Sequence, residues 1–169
     1  MNLETAIQTA IEYETRIRDL YAQAARDVTD PAGRSLFNAL EKDEQYHVDY
    51  LSRRLREWQN TGEISFSRLK KTIPDAAAIA RELGKLEKRV AQNDRSDEKQ
   101  MLSKALEVEV ETSAFYRRLV DELPGTGRRM FSGFLEIEDN HIAVVQAQLD
   151  YLAGTGFWFG TKEFDMEDM

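Results

Sequence analysis

Two halves of this chain repeat each other. Ala10-Ile11-Glu12-Tyr13-Glu14, followed by Tyr21, returns as Ala105-Leu106-Glu107-Val108-Glu109, followed by Tyr116, at an offset of 95. Phe37 through Glu44 and His47 returns as Phe131 through Glu138 and His141 at an offset of 94. A unit that occurs twice and cannot bury its apolar face alone packs against its copy. The repeat therefore predicts a bundle with a pseudo-two-fold axis and related residues facing one another across it.

Within each half the apolar residues recur at spacings of three and four, and alternating, strand-like runs are scarce. The three prolines, at 31, 74 and 124, separate stretches that read as helix. A first helix is expected from Leu3 to Val28. A second starts with Asp30 as N-cap and Pro31 at its first position, and stops at Thr61-Gly62. A third begins at Ser96-Asp97-Glu98 and ends before Pro124-Gly125; a fourth, capped by Thr126, runs to Ala153 before Gly154-Thr155-Gly156. The connections within each pair are a few residues, so each pair forms an antiparallel hairpin. The link between pairs, residues 61–95, is long enough to cross the bundle and holds a short helix within Asp75 to Ala91.

The inward seams follow from the periodicity. They are Ile7, Ala10, Glu14, Ile17, Tyr21, Ala24 and Val28; Phe37, Leu40, Glu44, His47, Leu51 and Trp58; Leu102, Ala105, Glu109, Thr112, Tyr116 and Leu119; and Phe131, Phe134, Glu138, His141, Val145 and Leu152. Six ionisable residues interrupt apolar surface at matching heights. Burying one unpaired carboxylate costs several kcal/mol, and no seam position carries a lysine or arginine to offset four of them. Two divalent cations would carry +4, matching four carboxylates and two neutral imidazoles. In Glu-x-x-His the side chains lie one turn apart on one helical face, so both reach one ion, and both histidines of the chain occur in that setting. Glu12, Glu107 and Glu111 stand close to Glu14 and Glu109 and remain alternative ligands.

At these residues the chain resembles the rubrerythrin branch of the ferritin-like di-iron carboxylate superfamily, over residues 3–153. The resemblance implies an all-α fold: a ferritin-like antiparallel four-helix bundle of two hairpins with one long crossover. It implies a dinuclear centre of two iron ions held by Glu14, Glu44, His47, Glu109, Glu138 and His141, with manganese or zinc as competitors for the same donors. Tyr21 and Tyr116 match tyrosines that stand beside the ligands in that family, either as proton or radical relays or as core residues. Members reduce hydrogen peroxide with electrons from a rubredoxin-like centre and form homodimers. Two departures stand out. This chain has no cysteine, so its electron donor is a separate molecule. At Thr112 rubrerythrins carry a further carboxylate, which leaves six protein ligands here. The implied activity is peroxide reduction in oxidative-stress defence, with oxidase or ferroxidase activity beside it; the alternative is a non-enzymatic iron- or zinc-binding protein for metal handling.

The composition narrows the remaining classes. Without cysteine there are no disulfides, thiolate metal sites or cysteine nucleophile. A formal charge of −8 repels phosphate backbones, so nucleic acid is not an expected partner. No signal peptide or membrane-spanning stretch is read from the sequence, and a cytoplasmic protein is expected. The bundle is assigned to residues 1–155. The tail, 156–169, gathers Phe157, Trp158, Phe159, Phe164 and Met166, and is expected to dock on the bundle or on a dimer partner. The charged stretch Lys85 to Lys99 reads as solvated crossover.

Overall fold

The computed structural model describes residues 1–83 and 95–159. These form five helices and, among the described residues, no strand: α1 (Leu3–Asp27), α2 (Pro31–Thr61), α3 (Ala76–Leu83), α4 (Ser96–Glu122) and α5 (Gly125–Thr155). Helix α1 packs along α2 and α4 along α5; α1 also meets α4, and α3 lies on α5. Three-residue and two-residue turns join the long pairs, so the helices within each pair run antiparallel.

Local chemistry explains most boundaries. Asn2 accepts a hydrogen bond from the Thr5 amide at 2.8 Å, and Asp30 accepts from Ala32 at 2.9 Å, each satisfying a donor the first turn leaves free. Gly62 and Gly156 close α2 and α5 in the left-handed region, at φ 75° and 74°, where a side chain would be strained. The start of α5 differs from expectation. Pro124 is the N-cap, without a side-chain bond, and Thr126 lies inside the first turn. Gly125, at φ 61°, supplies the backbone conformation that threonine would have had to avoid. The expected short helix of the crossover is α3; the expected part beyond residue 83, and most of the charged stretch to Lys99, lie outside the described residues.

The core divides into two apolar clusters with a polar layer between them. One contains Ile17, Tyr21, Phe37, Leu40, Leu102, Ala105, Val144 and Val145; the other contains Ile7, Ala10, Leu51, Tyr116, Leu119, Phe131 and Phe134. Every long helix contributes to both, and in each the carboxylate or Glu-x-x-His pair falls between the two contributions. All the expected seam residues are buried except Trp58, which is half-exposed near the end of α2. Among the described residues no helix is long and apolar enough to cross a membrane.

After α5 the chain folds back on itself. Trp158 sets its ring edge-on to Phe37, 5.5 Å between centroids, and donates its indole N–H to Glu98 Oε2 at 3.0 Å; Phe159 is buried beside Tyr151. Residues 160–169, with Phe164 and Met166, lie outside the described part. The Trp158 ring needs Gly33. A Cβ there would lie 2.8 Å from Trp158 Cε2 and 3.0 Å from Val28 Cγ2. Gly33→Ala is expected to lower stability by about 1–3 kcal/mol in urea unfolding, through overpacking against a rigid ring. An unchanged midpoint would show that the Trp158 seat is not occupied in solution.

Candidate metal centre

The structure brings Glu14, Glu44, His47, Glu109, Glu138 and His141 together, all with 0% exposure. Glu12, Glu107 and Glu111 face outward, and Glu111 pairs with Arg16 at 2.9 Å. The six fall into two overlapping sets of donor atoms, each within 4.8 Å of one another: Glu14, Glu44, His47 and Glu138; and Glu44, Glu109, Glu138 and His141. Glu44 and Glu138 belong to both. Helical geometry produces this directly, because each Glu-x-x-His pair presents one face to the axis while the single glutamates of α1 and α4 approach from the other side.

Both imidazoles turn Nδ1 inward. His47 Nδ1 lies 3.1 Å from Glu44 Oε2, 3.4 Å from Glu14 Oε2 and 3.5 Å from Glu138 Oε1. His141 Nδ1 lies 2.8 Å from Glu44 Oε1, 3.4 Å from Glu109 Oε1 and 3.7 Å from Glu138 Oε2. Yet His141 Nδ1, Glu14 Oε2, Glu44 Oε1, Glu109 Oε2 and both Glu138 oxygens have no aligned hydrogen-bond partner among the described residues. Buried acceptors left in this way are costly unless a cation sits among them. Donors bound to one ion at about 2.1 Å lie about 3 Å apart at right angles, close to the observed spacing. Oxygen-rich, nitrogen-poor donor sets of this kind suit divalent iron, manganese or zinc, so the residues present fit a metal ion.

Tyrosines fix the single glutamates crosswise. Tyr21 on α1 donates to Glu109 Oε1 on α4 at 2.5 Å, and Tyr116 on α4 donates to Glu14 Oε1 on α1. Each bond holds one carboxylate oxygen and leaves Oε2 without an aligned partner among the described residues. Burial, reinforced by the charge of the adjacent glutamate, pushes both phenols well above their usual value of 10. They therefore stay protonated and act as permanent donors.

The carboxylates divide electrostatically. Burial, then the charge of Glu14, pushes Glu44 up to about 8, and burial with the charges of Glu14 and Glu44 raises Glu138 well above the usual range. Burial pulls Glu14 upward too, but the adjacent Glu44 and the charge of His47 outweigh it and hold Glu14 at about 2. Glu109 is likewise lowered against the effect of burial, by Glu138 and His141. Burial disfavours the charged imidazoles, but the carboxylates around them, Glu14 for His47 and Glu44 for His141, raise both well above 6.5. Protons hold the cluster together in the absence of other cations.

Asp43 stands outside the seam expected for α2. It is 1% exposed, its Oδ2 lies 2.7 Å from His141 Nε2, and its Oδ1 accepts the Thr72 hydroxyl at 2.6 Å. Burial acts to raise it, and the bond to His141 overrides that and holds it at about 2. The available signal was its spacing, three residues after Leu40 and seven from both Leu36 and Tyr50, which puts it on the buried face of α2. Thr112 donates its hydroxyl to its own helix, to Val108 O at 2.8 Å. A cleft of about 380 Å³ between the crossover and α5 ends on Asp43 and His141, with Lys71, Asp75, Asp139 and Asn140 among its walls. Tyr50 bonds to Ser67 O at 2.8 Å, and Asn140 to Pro74 O at 3.0 Å, strapping the crossover over that face.

Among known proteins, no protein-family model, curated protein or solved structure matches this chain.

Proposed function

We propose that this protein is a dinuclear, non-haem iron carboxylate protein of rubrerythrin-like, ferritin-like architecture that reduces hydrogen peroxide with electrons from a separate donor. The observation that carries this reading is the pair of four-residue donor sets sharing Glu44 and Glu138. Two ions held by these sets would have Glu44 and Glu138 in common, an arrangement suited to a two-electron reaction on one small oxidant. Two antiparallel helix pairs joined by one long crossover, with ligands from all four long helices, support the architecture.

A pair of ferrous ions, when bound, supplies the two electrons that cleavage of a peroxide O–O bond consumes. The chain's own residues do the rest. Glu14 and His47 would hold one ion and Glu109 and His141 the other, with Glu44 and Glu138 available to both. Tyr21 and Tyr116 keep the terminal carboxylates aimed inward. Two apolar clusters exclude bulk water above and below the polar layer, and the cleft at Asp43 and His141 brings solvent within one side chain of it. A polar layer inside a water-excluded core strengthens every charge interaction within it.

One observation favours the alternative of metal holding without turnover: the Thr112 hydroxyl is satisfied by its own helix, leaving six protein ligands with none to exchange. Stopped-flow mixing separates the two readings. Protein loaded anaerobically with ferrous iron is expected to develop ferric absorbance at least tenfold faster with peroxide than with dioxygen. Comparable or faster reaction with dioxygen would replace the peroxidase reading with an oxidase or ferroxidase. Prompt reaction with neither would support metal holding.

A further inference from the structure

We infer that the two ion positions are inequivalent, and that Asp43, as a positioning residue, makes the position served by His141 the tighter of the two. This rests on the dinuclear reading above. The pseudo-two-fold relates Glu14 to Glu109, Glu44 to Glu138, His47 to His141 and Tyr21 to Tyr116, so on these residues alone the positions would be twins. The symmetry breaks at the residue before each shared glutamate. The partner of Asp43, 94 residues on, is Ile137.

The break falls on the outer nitrogens of the imidazoles. Asp43 Oδ2 stands 2.7 Å from His141 Nε2 but 3.7 Å from His47 Nε2, which has no hydrogen-bond partner among the described residues and whose ring lies edge-on to Phe134 at 5.2 Å. The other Asp43 oxygen is held by Thr72, so the carboxylate is fixed at both ends. A carboxylate that accepts the outer ring N–H orients the imidazole and makes the inner nitrogen a stronger donor; losing such a partner costs about 10- to 100-fold in metal affinity. His141 has that partner and His47 does not. The first ion therefore settles with Glu109 and His141, and the second with Glu14 and His47. Because Thr72 belongs to the crossover, the seating of that segment tunes the first position and not the second.

The test is a Co²⁺ titration of the metal-free full chain, followed by visible absorbance and calorimetry. His47→Gln leaves the His141 position and His141→Gln leaves the His47 position, so their one-ion affinities can be compared without repulsion between two bound ions. The expected result is binding about 10- to 100-fold tighter in His47→Gln than in His141→Gln. Adding Asp43→Asn should weaken His47→Gln and leave His141→Gln unchanged, which closes the gap. Thr72→Val, at an exposed position that leaves the core intact, should narrow it in the same direction. Equal affinities in the two histidine variants, or an equal loss from both on Asp43→Asn, would overturn the inference while leaving two ions per chain. Fewer than two Co²⁺ per wild-type chain would overturn the dinuclear reading itself.

Discussion

Glu44→Ala or Glu138→Ala is expected to empty the centre of both ions, whereas Glu14→Ala or Glu109→Ala removes one. The difference follows from the two donor sets: the first pair of residues belongs to both, the second pair to one each. Each set holds four donors, and loss of a shared carboxylate leaves two three-donor positions whose remaining acidic groups still repel. Metal content measured by elemental analysis after desalting should fall from two ions per chain to near none in the first pair. It should fall to about one in the second. Helix content should be retained in all four, because removing a buried carboxylate also removes a charge that the core tolerates only when it is paired. Loss of both ions from Glu14→Ala as well would mean that the positions are not separable. Retention of both ions in Glu44→Ala would sink the ligand assignment.

Metal removal should lower the melting temperature, and the gap between metal-bound and metal-free protein should widen from pH 6 to pH 8. The sign follows from the protons that hold the metal-free cluster together. Glu44 is raised to about 8, and Glu138 and both histidines are raised above their ordinary values. The folded chain therefore binds more protons than the unfolded chain in this range. That stabilisation is complete below the unfolded values, near 4.5 for the glutamates and 6.5 for the imidazoles, and is lost as pH rises through the folded ones. Glu14 and Asp43, held at about 2, act oppositely, but their contribution is already complete above pH 5. Metal binding displaces the same protons and so strengthens as they become easier to lose. With free metal at about a thousand times its dissociation constant, one site adds about 4 kcal/mol, or roughly 10 °C for a chain of this size. Calorimetric scans at pH 6, 7 and 8 test it. A metal-free form melting as high as the metal-bound form at pH 8 would argue against a buried centre.

The crossover is a second determinant of the site, and its effects run through Asp43. Asp43 on α2 reaches the outer nitrogen of His141 on α5, and the crossover supplies the hydroxyl on its other oxygen. The strap from Ser67 to Pro74 brings Thr72 over Asp43 and ties the segment to Tyr50 and Asn140. A long connection thus becomes part of the ligand support rather than a passive link.

Much of this protein was legible in its sequence because the relevant physics is local. Helix periodicity, Asp30 with Pro31, the glycines after α2 and α5, and the doubled Glu-x-x-His each depend on residues within one or two turns. These set the helix pairs, the inward seams and the six residues now found together. The choice of Glu14 and Glu109 over the acidic residues beside them followed from seam register and is matched by their burial. What sequence could not decide depends on distant segments meeting. Asp43 falls on the edge of the buried face of α2, seven residues from Leu36 and Tyr50, but its bonds to His141 and to Thr72 of the crossover depend on the packed chain. Thr72 has no periodic signal at all. Glu98 becomes a buried partner through Arg95 beside it and Trp158, 60 residues away. Gln148 falls on the buried face of α5 with no hydrogen-bond partner among the described residues, and its local pattern foretells the burial but not the missing partner. Local spacing tells a residue which way to face. Only the tertiary structure decides what it faces, because burial, and the charge balance burial imposes, belong to the packed chain as a whole.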